Sequence, residues 1–153
     1  MSARAGRFAD PLSRPLKYGV LDRLLGHAVR QAKYRVRDAF DEAMSPFGLT
    51  TQRFTALMLI AENPGLTQAD IAKVMGIARS GAAAIVVALE ERDLVERAPS
   101  ADARAFALAL SPHGREALPD LVARVEAHER SLSRNLSPQE VETLKALLAR
   151  IGG

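Results

Sequence analysis

Arg79 and Ser80 stand at the head of a helical stretch that is without polar side chains from Gly81 to Leu89. A guanidinium in that position offers a rigid fork of N–H donors, the shape that fits O6 and N7 of guanine. The same fork can clamp a phosphate or pair with an acid further along the chain, and residue type alone leaves all three uses open. Thr67 and Gln68 open the preceding helical stretch, whose first backbone N–H groups lack partners within the helix and can grip a phosphate. After Ser80 come Gly81-Ala82-Ala83-Ala84 and then Ile85-Val86-Val87. Gly81, Ala83 and Ala84 can touch a base edge only by van der Waals contact. An alanine meets a thymine methyl but donates no hydrogen bond.

These residues sit in an ordered run of elements. Thr67 caps a helix, with Asp70 three residues on in a capping-box position, and Gly76 closes it. A second helix follows from about Arg79 to Arg92. Short strands are expected at Leu94–Ala98 and Phe106–Leu110, around a loop tip rich in Pro, Ser and Ala. Helix, turn, helix and two-stranded wing is the order a reader of duplex DNA needs, with one helix in the major groove and a loop tip beside it. Upstream, an apolar stripe from about Leu16 to Met44 reads as a long helix, ended by Ser45-Pro46-Phe47-Gly48. Another helix fits Thr51–Glu62, and Asn63-Pro64-Gly65 is a strong turn. Downstream, Ser111-Pro112 caps a helix running towards Asn135, with a kink or late start expected at Pro119. Ser137-Pro138-Gln139-Glu140 caps the last, to about Arg150. Residues 1–15 read as a flexible basic arm.

The fold class is therefore mainly α with a small β wing. Residues 16–153 form a single domain, with a winged helix-turn-helix core at about 50–111. The terminal helices, at about 16–46 and 112–151, carry broad apolar stripes with little to bury against in so short a chain. Packing against a second copy would cover them, and a two-fold homodimer suits a palindromic operator; a monomer folding these helices back on itself is the alternative.

Composition narrows the function. The chain has 153 residues, a formal charge of +3 and no Cys, which excludes disulfides, thiolate metal sites and cysteine redox sensing. Residues 1–40 hold nine Lys/Arg against three Asp, a net of +6, which leaves −3 for the other 113. Such a basic segment suits an anionic partner, or is a solvated helix face. G-x-S-x-G, P-loop and H-E-x-x-H patterns are absent, and His27, His113 and His128 lack metal-ligand spacing, so no enzyme, cofactor or metal is expected. No apolar run is long enough to span a bilayer or to make a signal peptide, which makes the cytoplasm the default location.

In this order and spacing the residues resemble the MarR family of winged helix-turn-helix regulators. The match runs from about Leu24 to Ile151. It is carried by Gly65-Leu66-Thr67-Gln68 with Ile71-Ala72, Gly76-Ile77 with Arg79-Ser80, Leu89-Glu90 with Leu94-Val95-Glu96-Arg97, Asp102 with Arg104, and Leu110-Ser111-Pro112 with Gly114. The resemblance implies a triangular homodimer whose terminal helices form the interface, with an effector bound between that interface and the DNA-reading lobe. It also places Arg104 as the wing arginine that enters the minor groove, with Asp102 either orienting that loop or making a plain surface pair. Two departures stand out: Ala83 and Ala84 where polar residues are common on the groove-facing side, and Ala103 where the wing often has another charge. Base contacts should be few, with DNA shape, the wing and salt-sensitive phosphate contacts carrying more of the binding.

On the first long helix His27, Gln31 and Tyr34 share a face, and Arg30, Tyr34 and Arg37 a neighbouring one. With Phe54 and Met58 as an apolar wall, they form a candidate small-molecule site in which Tyr34 or His27 bonds a phenol or carboxylate and Arg30 pairs with an anion. The alternative is that Tyr34 and His27 bridge the dimer interface. The basic, Tyr-containing face is similar to family members that respond to aromatic acids or their coenzyme A thioesters. The expected function is a dimeric repressor released from its operator by such a ligand, which favours a recognition-helix spacing that no longer matches the DNA. A constitutive or architectural DNA binder is the runner-up.

Overall fold

Hydroxyl side chains set where four of the helices begin. In the computed structural model, which describes residues 16–99 and 106–152, the order is α1 (Leu25–Met44), α2 (Thr51–Glu62), α3 (Gln68–Met75), α4 (Arg79–Glu90), β1 (Val95–Pro99), β2 (Phe106–Leu110), α5 (Pro112–Leu132) and α6 (Pro138–Leu148). Thr50, Thr67, Ser111 and Ser137 cap α2, α3, α5 and α6 by accepting the amide N–H three residues on. Thr67 and Ser137 complete capping boxes with Asp70 and Glu140. Hydrogen bonds from the Thr67 hydroxyl and amide hold the Asp70 carboxyl below its ordinary range. The Ser137 amide and hydroxyl do the same for Glu140.

The described residues divide into two compact units between Ala39 and Phe40. In the first, the expected helix from Leu16 starts only at Leu25, after a 3-10 turn at Gly19–Arg23. Gly19 has φ +58°, outside the right-handed helical region, and Leu24 is extended. In the second, the core gathers Met44, Leu49, Leu57, Ile60, Ile71, Val86, Leu89, Leu108 and Leu121, all nearly inaccessible to solvent. Gly76, at φ +64°, ends α3, and the chain turns through 118° into α4. That lies within the range of helix-turn-helix crossings.

The wing pairs antiparallel, with Val95 opposite Leu110, Arg97 opposite Leu108 and Pro99 opposite Phe106. A third segment joins it: the Leu108 amide donates to the Leu66 carbonyl at 2.7 Å, and Thr67 bridges to Ala107. The wing base is thereby tied to the turn that opens α3. The expected alternation of β2 is imperfect, because Ala107 and Leu108 are both buried while Phe106 is 61% exposed. Pro119 lies inside α5, which starts at Pro112 without delay.

The start of α5 locks onto the turn between α4 and β1. The Ser111 hydroxyl donates to the Asp93 carbonyl and accepts from the Gly114 amide at 2.8 Å. The Ser111 amide donates to the Leu94 carbonyl at 3.1 Å. A Cβ on Gly114 would collide with that same Leu94 carbonyl, so only glycine permits this approach. Gly114→Ala is expected to lower the free energy of unfolding by about 3 kcal/mol through overpacking. Ser111→Ala should lower it by about 2 kcal/mol, by loss of a cap and of buried hydrogen bonds. Urea denaturation followed by circular dichroism checks both. Wild-type stability in Gly114→Ala would mean that α5 shifts freely from Leu94.

Candidate nucleic-acid interface

Helix α4 has two unlike sides. Ala82, Ile85, Val86, Ala88 and Leu89 are buried, whereas Arg79, Ser80, Ala84 and Val87 are exposed and Gly81 and Ala83 half-buried. Ser80, Ala84 and Val87 follow one another at i, i+4 and i+7 and share a face, on which Val87 is 43% exposed. Unlike α2, α3, α5 and α6, α4 begins without a side-chain cap, since its N-cap is Ala78. The first amides of α4 thus meet no capping oxygen, and partial positive charge gathers at that end. Arg79 makes no ion pair with any described residue, so the acid-pair use is not realised among them. Gly81 has helical backbone, and a Cβ there would only touch Ile77 Cδ1 at 3.9 Å. Packing does not demand a glycine at that position.

The opening of α3 is less free than its residue types imply. The Thr67 amide donates to Asp70 Oδ2 at 2.9 Å, its hydroxyl donates to the same oxygen at 2.7 Å, and the Asp70 amide is taken by the Thr67 hydroxyl. The capping box therefore uses Thr67 internally, and the amides of Gln68 and Ala69 are those it leaves for an outside acceptor.

Thr67, Gln68, Arg79, Arg97, Phe106 and Leu108 line a surface groove of about 280 Å³ where α3, α4 and the wing meet. Arg97 and Glu90 form a two-pronged pair, Nε to Oε1 at 2.7 Å and Nη2 to Oε2 at 3.2 Å. That pairing raises the pKa of Arg97. The Arg97 guanidinium also lies 5.9 Å from the centre of the exposed Phe106 ring. Sequence reasoning missed all three as site residues. The seven-residue separation of Glu90 and Arg97 spans a turn, and no helical or strand period signals such a pair. Asp102, Ala103 and Arg104 lie outside the described residues.

The candidate effector residues divide between helices. His27 and Gln31 are half-buried on α1, and Arg30 and Tyr34 are exposed. The Tyr18 ring lies 5.8 Å from that of His27, and the Arg37 guanidinium sits 5.2 Å above the Tyr34 ring while pairing with Asp38 at 2.8 Å. Phe54, on α2, lies 5.9 Å from the Phe40 ring and packs on the core of the second unit, and Met58, four residues on, is half-buried. Among the described residues no group of three or more His, Asp or Glu could hold a metal ion. No single described helix is long and apolar enough to cross a membrane.

Comparison with known proteins gives this geometry a family. Residues 47–105 match the family model described as the MarR family. A putative transcriptional regulatory protein for the hcr operon of Thauera aromatica is 31% identical, over 99% of this chain and 92% of its own length. The transcriptional repressor CouR, solved bound to a 23-mer DNA duplex, is 36% identical, with a TM-score of 0.84 over 92% of this chain and 100% of that one. CouR bound to p-coumaroyl-CoA superposes with a TM-score of 0.80 at the same identity, over 90% and 97% of the two chains. With six α-helices among its described residues, a 118° helix-turn-helix and a two-stranded wing, the chain belongs to the MarR family of winged helix-turn-helix proteins, a family of transcriptional regulators and not of enzymes.

Proposed function

We propose that the protein is a dimeric repressor that holds its operator through α4 and the wing and releases it on binding an aromatic acyl-CoA thioester. The observation that carries the DNA half is the uncapped start of α4, where an exposed Arg79 without an ion pair to any described residue stands beside Ser80. With α4 in the major groove, Arg79 forks onto a guanine, while Ser80, Gly81, Ala83 and Ala84 lie against base edges. The amides of Gln68 and Ala69 meet a backbone phosphate. Arg104 is assigned to the minor groove. Dimerisation is supported by apolar side chains left exposed towards both ends of the chain, among them Leu24 and Leu25, and Leu144, Leu147 and Leu148 on α6.

The effector half rests on the likeness to CouR and on α1. His27, Arg30, Gln31 and Tyr34 present hydrogen-bonding groups and a cation on adjacent faces of that helix, and Lys33 and Arg37 add charge beside them. Tyr34 and His27 suit a phenolic or carbonyl oxygen, and the cations suit the phosphates of a coenzyme A moiety.

Fluorescence polarisation of the protein's own upstream promoter DNA, at two salt concentrations with and without p-coumaroyl-CoA, tests the whole reading. Tight, salt-sensitive binding reversed by the thioester is expected. Binding that the thioester leaves untouched would keep the regulator and discard this ligand; the constitutive binder, to which the alanine-rich outer face of α4 lends some weight, is the reading if no small molecule releases the operator. Arg79→Ala should reduce the preference for operator over random duplex about tenfold or more, the loss expected of a bidentate guanine contact. Arg104→Ala should weaken binding evenly across sequences. Gly81→Ala should raise stability by about 0.5–1 kcal/mol, because a helical glycine is unfavourable and the site is open. The same change should weaken operator binding, since the added methyl intrudes where backbone approaches DNA. A stabilised variant with unaltered operator affinity would remove Gly81 from the interface.

A further inference from the structure

The fork between Glu90 and Arg97 has no evident purpose in stability. Side chains this exposed, 48% for Arg97 and 26% for Glu90, contribute little to folding when they pair. Yet the geometry is specific. It joins the last residue of α4 to the middle of β1, and the guanidinium is placed over Phe106 on the neighbouring strand. Arg97 lines the same groove as Arg79 and Gln68, on the side of the molecule assigned above to DNA.

The two arginines of that groove differ in what they have left to give. Arg79 has no acidic partner among the described residues, whereas Arg97 has Nε and Nη2 committed to one carboxylate. A phosphate makes the same two-pronged demand as a carboxylate, and the Nε–Nη2 edge cannot satisfy both; the Nη1 side remains, but with the guanidinium charge already countered by Glu90. A free Arg97 would be a phosphate contact that any sequence could use, because backbone contacts carry affinity without information.

We infer that Glu90 is a specificity-determining residue: by occupying the Nε–Nη2 edge of Arg97 and countering its charge it weakens a sequence-blind phosphate contact, so that discrimination rests on Arg79 and its neighbours on α4. The inference depends on the α4 and wing face being the DNA surface. Glu90 acts through Arg97 and is thus a positioning residue.

The test is a salt series of polarisation titrations with operator duplex and random-sequence duplex. It uses wild type, Glu90→Gln, Arg97→Gln and the double variant, with thermal melts confirming that each is folded. Non-specific binding is dominated by counterion release, with the log–log salt slope steepening by about 0.9 for each phosphate neutralised. Glu90→Gln is expected to steepen the slope on random duplex by about that amount and to tighten non-specific binding several-fold. Operator binding should tighten less, so the ratio of the two falls. Arg97→Gln alone should leave the slope nearly unchanged, and adding it to Glu90→Gln should abolish the gain.

An unchanged slope in Glu90→Gln overturns the inference. So does a gain that persists in the double variant, which would reduce Glu90 to a generic negative charge. A slope flattened by a full unit in Arg97→Gln alone overturns it too, since Arg97 would already be on a phosphate. If instead wild type shows no salt-dependent binding to either duplex, the DNA-face reading itself falls and the inference with it. Wild-type binding that depends on Arg79, with Glu90→Gln inert, sinks only the inference.

Discussion

Helix α4 must be buried on one side and bare on the other, and most of the second unit follows from that division. Ile85, Val86 and Leu89 point into the core with Leu57, Ile60 and Ile71, and each contributes about 2 kcal/mol by leaving water. Ala82, fully buried, lets the neighbouring helices approach closely. Against that, contacts available to Arg79, Ser80 or Ala84 on the outer face are small and local. The orientation of the helix is therefore decided from within. The outer face is left free to vary without consequence for the fold, which is what a regulator needs of the face proposed to choose its operator.

The wing is held by a second set of constraints, and they are backbone ones. Leu66 takes the Leu108 amide, Leu94 takes the Ser111 amide, and Gly114 gives the Leu94 carbonyl room. The turn before α3, the turn after α4 and the start of α5 are thus all pinned to the two strands. The base of the wing is thereby fixed in three places, even though the pairs across its surface, such as Glu90 with Arg97, are exposed.

Much of this was legible from residue types because it is local. Thr67 with Asp70, Ser137 with Glu140, Gly76 and Ser111-Pro112 each act within one turn of helix, and each appears where their chemistry requires. What was not legible depends on partners distant in sequence, or on one residue being asked to do two things. The apolar stripe from Leu16 continues through Gly19, and periodicity cannot distinguish a 3-10 turn that begins at a left-handed glycine from the first turns of α1. Thr67 was readable both as a cap and as a phosphate grip, but its amide and hydroxyl cannot serve Asp70 and an outside anion together. Phe106 looked like one apolar residue in an alternating strand, and only the pairing of Leu108 with Leu66 shows why the alternation breaks beside it. Of the α1 face, the residue types were readable but not the stacking of Arg37 on Tyr34.

The start of α4 violates two local rules at once, and the violations fall on the face assigned to DNA. A missing hydroxyl or carboxamide cap forgoes about 1 kcal/mol, and a glycine within the first turn forgoes a similar amount relative to alanine. Neither is required by packing: Ala78 could be a cap-forming residue, and Gly81 has room for a methyl group. The rest of the helix makes up the deficit. Ala82, Ala83, Ala84 and Ala88 are the strongest helix formers available, and three large apolar side chains anchor the opposite side. Where local preference is broken without a structural reason and compensated nearby, function is the usual cause. An uncapped amide cluster and an absent Cβ are both ways of letting a polyanion come close, and here Ala78 and Gly81 bracket Arg79 and Ser80 within one turn.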